Sequence, residues 1–101
     1  MSTLHSDARV RTGTPRRYLG QLCKHFEHRL PVTFEERRGR IEFPAGSCEA
    51  EAPDDETLSL RVSAASEEDL SQLQDVIARH LLRFAFRETP EISWTRAPNA
   101  A

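Results

Sequence analysis

The segment QLCKHFEHRL, residues 21–30, holds one cysteine and two histidines. Thiolate and imidazole are common zinc ligands, and a cysteine beside a histidine can also form a nucleophile and its base. A helix turns about 100° per residue, so His25 and His28 lie about 160° and 140° from Cys23. We therefore expect Cys23 to face the core while both imidazoles point elsewhere, which separates the thiol from the histidines.

His25 and His28 share a helix face, because residues three apart lie about 60° from each other. They could supply two metal ligands, whereas a zinc site uses three or four convergent ligands. The alternative is that both rings are solvated near the negative end of the helix. The sequence favours this alternative and predicts no metal and no cofactor, with His25 and His28 as the metal candidates that it offers.

His80 falls about 40° from the centre of a second helical apolar stripe. A polar ring at the edge of a core must find a hydrogen-bond partner or titrate at a lower pH. A structural histidine is the simpler interpretation, and a ligand-binding role is the alternative. Cys48 occupies an inward strand position and is interpreted as core packing.

The segment RVRTGTPRR, residues 9–17, suggests an anion site at the start of a helix. Thr14 can cap this helix, and Pro15 suits its first position. Cations in the first turn oppose the helix dipole, and such local violations can mark function. We therefore hypothesise a phosphate or carboxylate site with the ligand residues Arg9, Arg11, Arg16, Arg17, Tyr18 and His80. Alternatively, the arginines are solvated or pair with acidic side chains.

Hydrophobic periodicity predicts the elements that position these residues. Spacing typical of helices follows Pro15 and Ser66, with Ser66 as the predicted cap of the second helix, and alternation with a period of two marks the strands. The four middle strands are predicted to form an antiparallel meander with a turn at residues 37–39, and a last strand is predicted at residues 91–95 with Ile92 and Trp94 facing inward. The predicted order is β-α-β-β-β-β-α-β. Two amphipathic helices must cover one face of the antiparallel sheet, which predicts a two-layer α+β sandwich. The predicted single domain spans residues 7–96, with flexible termini at 1–6 and 97–101.

Composition limits the function classes. The chain has 101 residues and a net charge of −2, which argues against a general nucleic-acid binder. The predicted outer sheet face has no aromatic residues on which RNA bases could stack. No apolar run reaches membrane-spanning length and no secretory signal precedes the first strand, so we expect a cytoplasmic protein. Two cysteines then indicate free thiols, with a Cys23–Cys48 disulfide as the alternative.

Three segments, RRYLGQLCKHFEHRLPVTFE, GRIEF and SLRVSAASEEDLSQLQDVIARHLLRFAFRE, together with Trp94, resemble a family of small bacterial proteins of unknown function. The resemblance covers about residues 8–95. That family offers no activity, cofactor or catalytic residue to transfer. Its members sometimes accompany siderophore-interacting flavin reductases, so the resemblance implies an accessory role in iron acquisition.

No acid, base and nucleophile converge in the sequence, which favours a non-catalytic accessory or interaction module with a protein partner. A small-anion binder that uses the N-terminal arginines is the second hypothesis. A metal or redox protein that combines His25, His28 or His80 with a cysteine is the third.

Overall fold

The computed structural model describes residues 3–85, 87–88 and 90–96. Six strands and two helices follow one another in the predicted order. They are β1 (Leu4–Arg11), α1 (Pro15–Phe26), β2 (Val32–Glu35), β3 (Arg38–Phe43), β4 (Gly46–Glu51), β5 (Thr57–Ala64), α2 (Glu67–Phe84) and β6 (Thr95–Arg96).

The strands form one antiparallel sheet in the order β2-β3-β4-β5-β1-β6. Strands β2 to β5 make the predicted meander, and β1 joins its far side by pairing with β5. Both helices pack on the same face of this sheet. The fold is therefore the predicted two-layer α+β sandwich, with its hydrophobic core between the helices and the sheet.

Alternation along the strands assigns each side chain to one layer. Val10, Ile41, Leu58 and Val62 are completely buried beneath the helices, while the residues between them point away. Burying large apolar side chains of this kind stabilises the fold by about 1.5–3 kcal/mol each before the ordering cost. The core thus follows directly from the period-two pattern.

The helix ends have different hydrogen bonds. Ser66 caps α2 as predicted, since its hydroxyl accepts the Asp69 N–H at 3.1 Å. Thr14 makes no side-chain cap for α1; its own N–H donates to Thr12 Oγ1 at 3.1 Å. At the other end of α1, the Arg29 N–H donates to the Phe26 carbonyl three residues earlier, which is the bond of a tightened last turn before Pro31.

The first and the last strand differ from the prediction. Residues 4–6 were assigned to a flexible terminus, but they belong to β1, where Ser6 is buried opposite Val62. The last strand was expected at residues 91–95, but β6 pairs only Thr95 and Arg96 with β1. Ile92 and Trp94 still pack against the core, as predicted. The predicted C-terminal tail, 97–101, lies outside the described residues.

Gly39 lies within β3, although the sequence predicts it in a turn at residues 37–39. The turn between β2 and β3 lies at residues 36–37. Gly39 faces α1, and a Cβ added there would lie 2.3 Å from Cys23 Sγ and 3.5 Å from Leu19 Cδ1. The absence of a side chain therefore lets α1 approach the sheet closely at this point.

We predict that Gly39→Ala lowers the free energy of unfolding by about 1–3 kcal/mol, because the new methyl group overpacks the core against Cys23. Cys23→Ala should relieve part of this loss, since it removes the sulfur atom that the methyl group meets. Denaturant unfolding of the two single variants and the double variant measures this coupling. Gly13→Ala is the control, because a Cβ there meets nothing within 4 Å. If Gly39→Ala lowers the free energy of unfolding equally in the wild type and in the Cys23→Ala variant, the packing argument is contradicted.

Candidate functional site

The cysteine and the histidines of residues 21–30 point in different directions, as the helix geometry predicted. Cys23 is only 2% exposed, whereas His25 and His28 are exposed. Burial raises the pKa of Cys23 to about 11 and that of Cys48 to about 12. Both cysteines are free thiols within the core. The thiols thus lack the depressed pKa and the exposure of catalytic cysteines.

We predict that neither thiol of the native protein reacts with a thiol-specific reagent at pH 8. At that pH fewer than about one in a thousand Cys23 side chains would be ionised, and the sulfur is covered. Unfolding in guanidinium chloride should expose both cysteines to labelling, which mass spectrometry counts. Ser71→Cys, on the exposed side of α2, is the matched control and should label at once. Rapid labelling of Cys23 or Cys48 in the folded chain would contradict the assignment to the core.

The imidazole that His25 meets belongs to the other helix. The ring centroids of His25 and His80 are 4.7 Å apart and the planes are tilted by 45°. The sequence pairs His25 with His28, because spacing reveals only neighbours on the same helix. The approach of α1 to α2 creates the His25–His80 pair instead, and the edge position of His80 on its helix was the one sequence signal for it.

His80 has the hydrogen-bond partner that its position requires, because its Nδ1 lies 2.7 Å from the Val76 carbonyl oxygen. A carbonyl can only accept, so Nδ1 carries the proton of the neutral ring. His25 is more exposed, and partial burial, followed by the charges of His80 and Arg83, lowers its pKa. Among residues 3–85, 87–88 and 90–96, no group of three or more His, Cys, Asp and Glu side chains could hold a metal ion.

Glu88 occupies the predicted anion site at the start of α1. Its carboxylate accepts hydrogen bonds from the Thr12 hydroxyl at 2.9 and 3.1 Å and from the Tyr18 hydroxyl. The Gly13 N–H also donates to it. Tyr18, one of the predicted ligand residues, and the nearby Gly13 N–H therefore bind a carboxylate of the chain itself. Sequence spacing could not reveal this, since 76 residues separate Thr12 from Glu88.

The four predicted arginines do not converge. Arg9 and Arg11 extend from β1 on the sheet face that carries no helix, whereas Arg16 and Arg17 lie on α1. Arg16 pairs with Glu36 at 3.5 Å. Arg16 and Arg17 line a depression of about 460 Å³ beside Phe34, far from His80 in the chain and without contact to it. The predicted ligand residues are thus distributed over both layers of the molecule.

The uncovered face of the sheet brings charged residues together in two rows. The first row runs across four strands with alternating charge through Arg40, Glu49, Arg61 and Asp7. Arg40 contacts Glu49 at 2.6 Å, and Arg61 contacts Asp7 at 2.6 and 3.0 Å. The hydrogen bond from Arg61 lowers the pKa of Asp7. We call this row the paired row, because its charged side chains form ion pairs with one another.

The second row, which we call the unpaired row, lies beside the first. It consists of Glu35, Arg38, Glu51, Ser59 and Arg9 in register across five strands. Within the part of the chain that the structure describes, its charged side chains form no ion pair shorter than 4 Å. Both rows line one depression of about 620 Å³. We call the two rows together the open face.

The sheet, the two helices on one side and the polar open face define a small two-layer α+β protein. The chain belongs to the family described as an uncharacterized protein conserved in bacteria (DUF2218), which matches residues 7–95. It is also similar to PA4090 from Pseudomonas aeruginosa, solved by NMR, with 35% identity and a TM-score of 0.78 over 91% of this chain and 95% of that chain. No curated protein matches the chain. Neither described helix has the length and apolar character needed to cross a membrane.

We predict that Glu88→Gln lowers the melting temperature at pH 7, because the variant loses charge-assisted hydrogen bonds from Tyr18 and Thr12. These bonds lower the pKa of Glu88 below its usual 4.5 in the folded chain. A lowered carboxyl pKa stabilises the fold above the unfolded value, and this stabilisation is lost as the pH falls through the folded value. The difference from wild type should therefore be complete above about pH 5 and shrink in more acidic buffer.

Thermal unfolding followed by circular dichroism from neutral to acidic pH measures this difference. Asp55→Asn is the charge-matched control, because Asp55 lies in an exposed turn and forms no side-chain hydrogen bond or ion pair among the described residues. A Glu88→Gln effect that stays constant down to pH 3 would show that the carboxylate charge contributes nothing.

Proposed function

We propose that this chain is a non-catalytic interaction module that binds a protein partner across its open face. The unpaired row carries the proposal. It places two arginines and two carboxylates in a depression while the adjacent paired row is already neutralised by its own contacts. Charged groups that a partner can pair with are the basis of specific recognition and fast association.

The open face suits a polar partner. Its side chains come from adjacent strands of one sheet, of which β3, β4 and β5 are paired on both sides, so binding requires little reordering of the chain. Charges of both signs alternate along the unpaired row, in Glu35, Arg38, Glu51 and Arg9. The complementary surface therefore carries both acidic and basic residues, which is a requirement that a protein partner meets.

A binding role also fits the chemistry of this face better than catalysis does. A general acid or base needs a pKa near the working pH. Asp7 has the opposite property, because Arg61 holds its pKa below the usual value and keeps it ionised. The guanidinium groups of Arg40 and Arg61 are likewise held by carboxylates. These contacts support a recognition surface of fixed charges.

The partner class in this proposal comes from the sequence resemblance, which points to siderophore-interacting flavin reductases and therefore to an accessory role in iron acquisition. A cytoplasmic location belongs to the same proposal, and the two free, buried thiols support it.

We predict that Arg9→Glu combined with Arg38→Glu weakens partner binding by at least about tenfold, because like charges then face each other across the interface. The wild type and the variant, each immobilised, are exposed to cytosol of the native host, and retained proteins are identified by mass spectrometry. The affinity of any specific partner is then measured with purified components. Retention of a siderophore-interacting flavin reductase supports the iron link, and a different specific partner removes that link.

Lys24→Glu combined with Arg79→Glu is the matched control, since it reverses two exposed charges on the helix layer. This variant should bind as the wild type does, and circular dichroism should show that both variants are folded at the temperature of the binding measurement. A partner that is lost equally from both variants, or from neither, would place the interface elsewhere. Recovery of background proteins alone from all three would contradict the proposal.

A further inference from the structure

The His25–His80 pair has no part in the docking proposal, because it lies on the helix layer and the open face lies on the opposite side of the sheet. Two imidazoles from different helices nevertheless meet at the molecular surface. His25 is exposed and His80 is partly exposed, so small ions in solvent can reach the pair.

The separation of the rings fits a shared metal ion. Imidazole nitrogens bind Zn²⁺ at about 2.0–2.1 Å, so two rings that share one ion have centroids about 4.5–5.3 Å apart for bond angles between square and tetrahedral. The centroids of His25 and His80 are 4.7 Å apart. The packing of α1 against α2 therefore separates the ring centroids by a distance compatible with two imidazoles that share one ion.

The hydrogen bond of His80 directs one of its nitrogens for this role. Because Nδ1–H donates to the Val76 carbonyl at 2.7 Å, the lone pair of the neutral ring is on Nε2. A backbone carbonyl that fixes the tautomer of a histidine is the usual outer partner of a metal-binding imidazole. In His80 this partner is supplied by the preceding turn of its own helix.

Aromatic side chains hold both rings in place. Phe26 lies 4.9 Å from His25 and 5.1 Å from His80 between ring centroids, and Phe84 lies 5.8 Å from His25. These contacts restrict the imidazoles before any ion arrives, and this lowers the ordering cost of binding.

The local field contains opposing contributions. His25 lies in the last turn of α1 and His80 lies near the end of α2, where the partial negative charge of a helix favours a cation. Arg29, Arg83 and His28 act on His25 with positive charge. Among the residues that the structure describes, no carboxylate is found to act on His25, and this disfavours the hard ions Mg²⁺ and Ca²⁺, because those ions require oxygen ligands.

We propose that His25 and His80 form a surface site for a late first-row divalent metal ion, with Cu²⁺ bound most tightly and Ni²⁺ and Zn²⁺ bound less tightly. The protein supplies two nitrogen ligands, and water or a small anion completes the coordination. Arg83 and Arg29 favour an anion in those remaining positions.

Titration of the tag-free chain with Cu²⁺, Ni²⁺, Zn²⁺ and Mg²⁺ by calorimetry tests the site. We expect one Cu²⁺ ion per chain and no Mg²⁺ binding. His25→Gln and His80→Gln should each weaken Cu²⁺ binding by at least about tenfold. Loss of an outer-shell hydrogen-bond partner already weakens metal binding by about 10–100-fold, and loss of a direct ligand should cost at least as much. His5→Gln and His28→Gln are the controls, and both should bind as the wild type does. Circular dichroism establishes that each variant is folded.

Paramagnetic broadening by Cu²⁺ in the NMR spectrum of the wild type locates the ion without any substitution. The broadened signals should come from residues around Phe26 and Phe84 and not from the strands of the open face. The proposal is overturned by non-saturable binding, by broadening centred elsewhere, by Mg²⁺ binding of similar strength, or by a site that survives both His25→Gln and His80→Gln. None of these results depends on whether a protein partner docks on the open face.

Discussion

The contact between Cys23 and Gly39 fixes how α1 lies on the sheet, and much of the surface chemistry depends on that orientation. With the sulfur facing a strand residue that has no side chain, α1 approaches β3 closely and cannot rotate without losing this fit. This orientation of α1 about its own axis also directs His25 toward α2 and Tyr18 toward Glu88. A core contact thereby determines which polar groups meet at two separate places on the surface.

The period of two in the strands acts in a similar way on the other side of the molecule. Each inward residue that builds the core requires an outward neighbour, and antiparallel register places those neighbours side by side across the strands. Arg40, Glu49, Arg61 and Asp7 alternate in charge because four separate strands each contribute one of them. The open face is thus a direct product of the register that also aligns the core.

Local pattern was enough to predict the layers, the order of the elements, the Ser66 cap and the inward direction of Cys23. These features depend on neighbours within a few residues or on a repeating period. The contacts that sequence reasoning missed join distant segments. Glu88 reaches Thr12 and Tyr18 across the whole chain, and His25 meets His80 only because two helices pack together. The sequence predicts Gly39 in a turn, because sequence alone does not distinguish a glycine that forms a turn from one that packs beneath a helix.

The position of β1 within the sheet has a consequence for folding during synthesis. This strand leaves the ribosome before its partner β5, which follows much later, since 58 residues separate His5 from Ser63 in the same pair. Pairs of such high contact order close slowly, because the loop between them must lose its freedom before the contacts form. The meander of β2 to β5 can assemble from successive hairpins, whereas the N-terminal strand must wait for most of the polypeptide to emerge. Strand β1 is therefore synthesised before its partner and is among the last strands to find its place in the sheet.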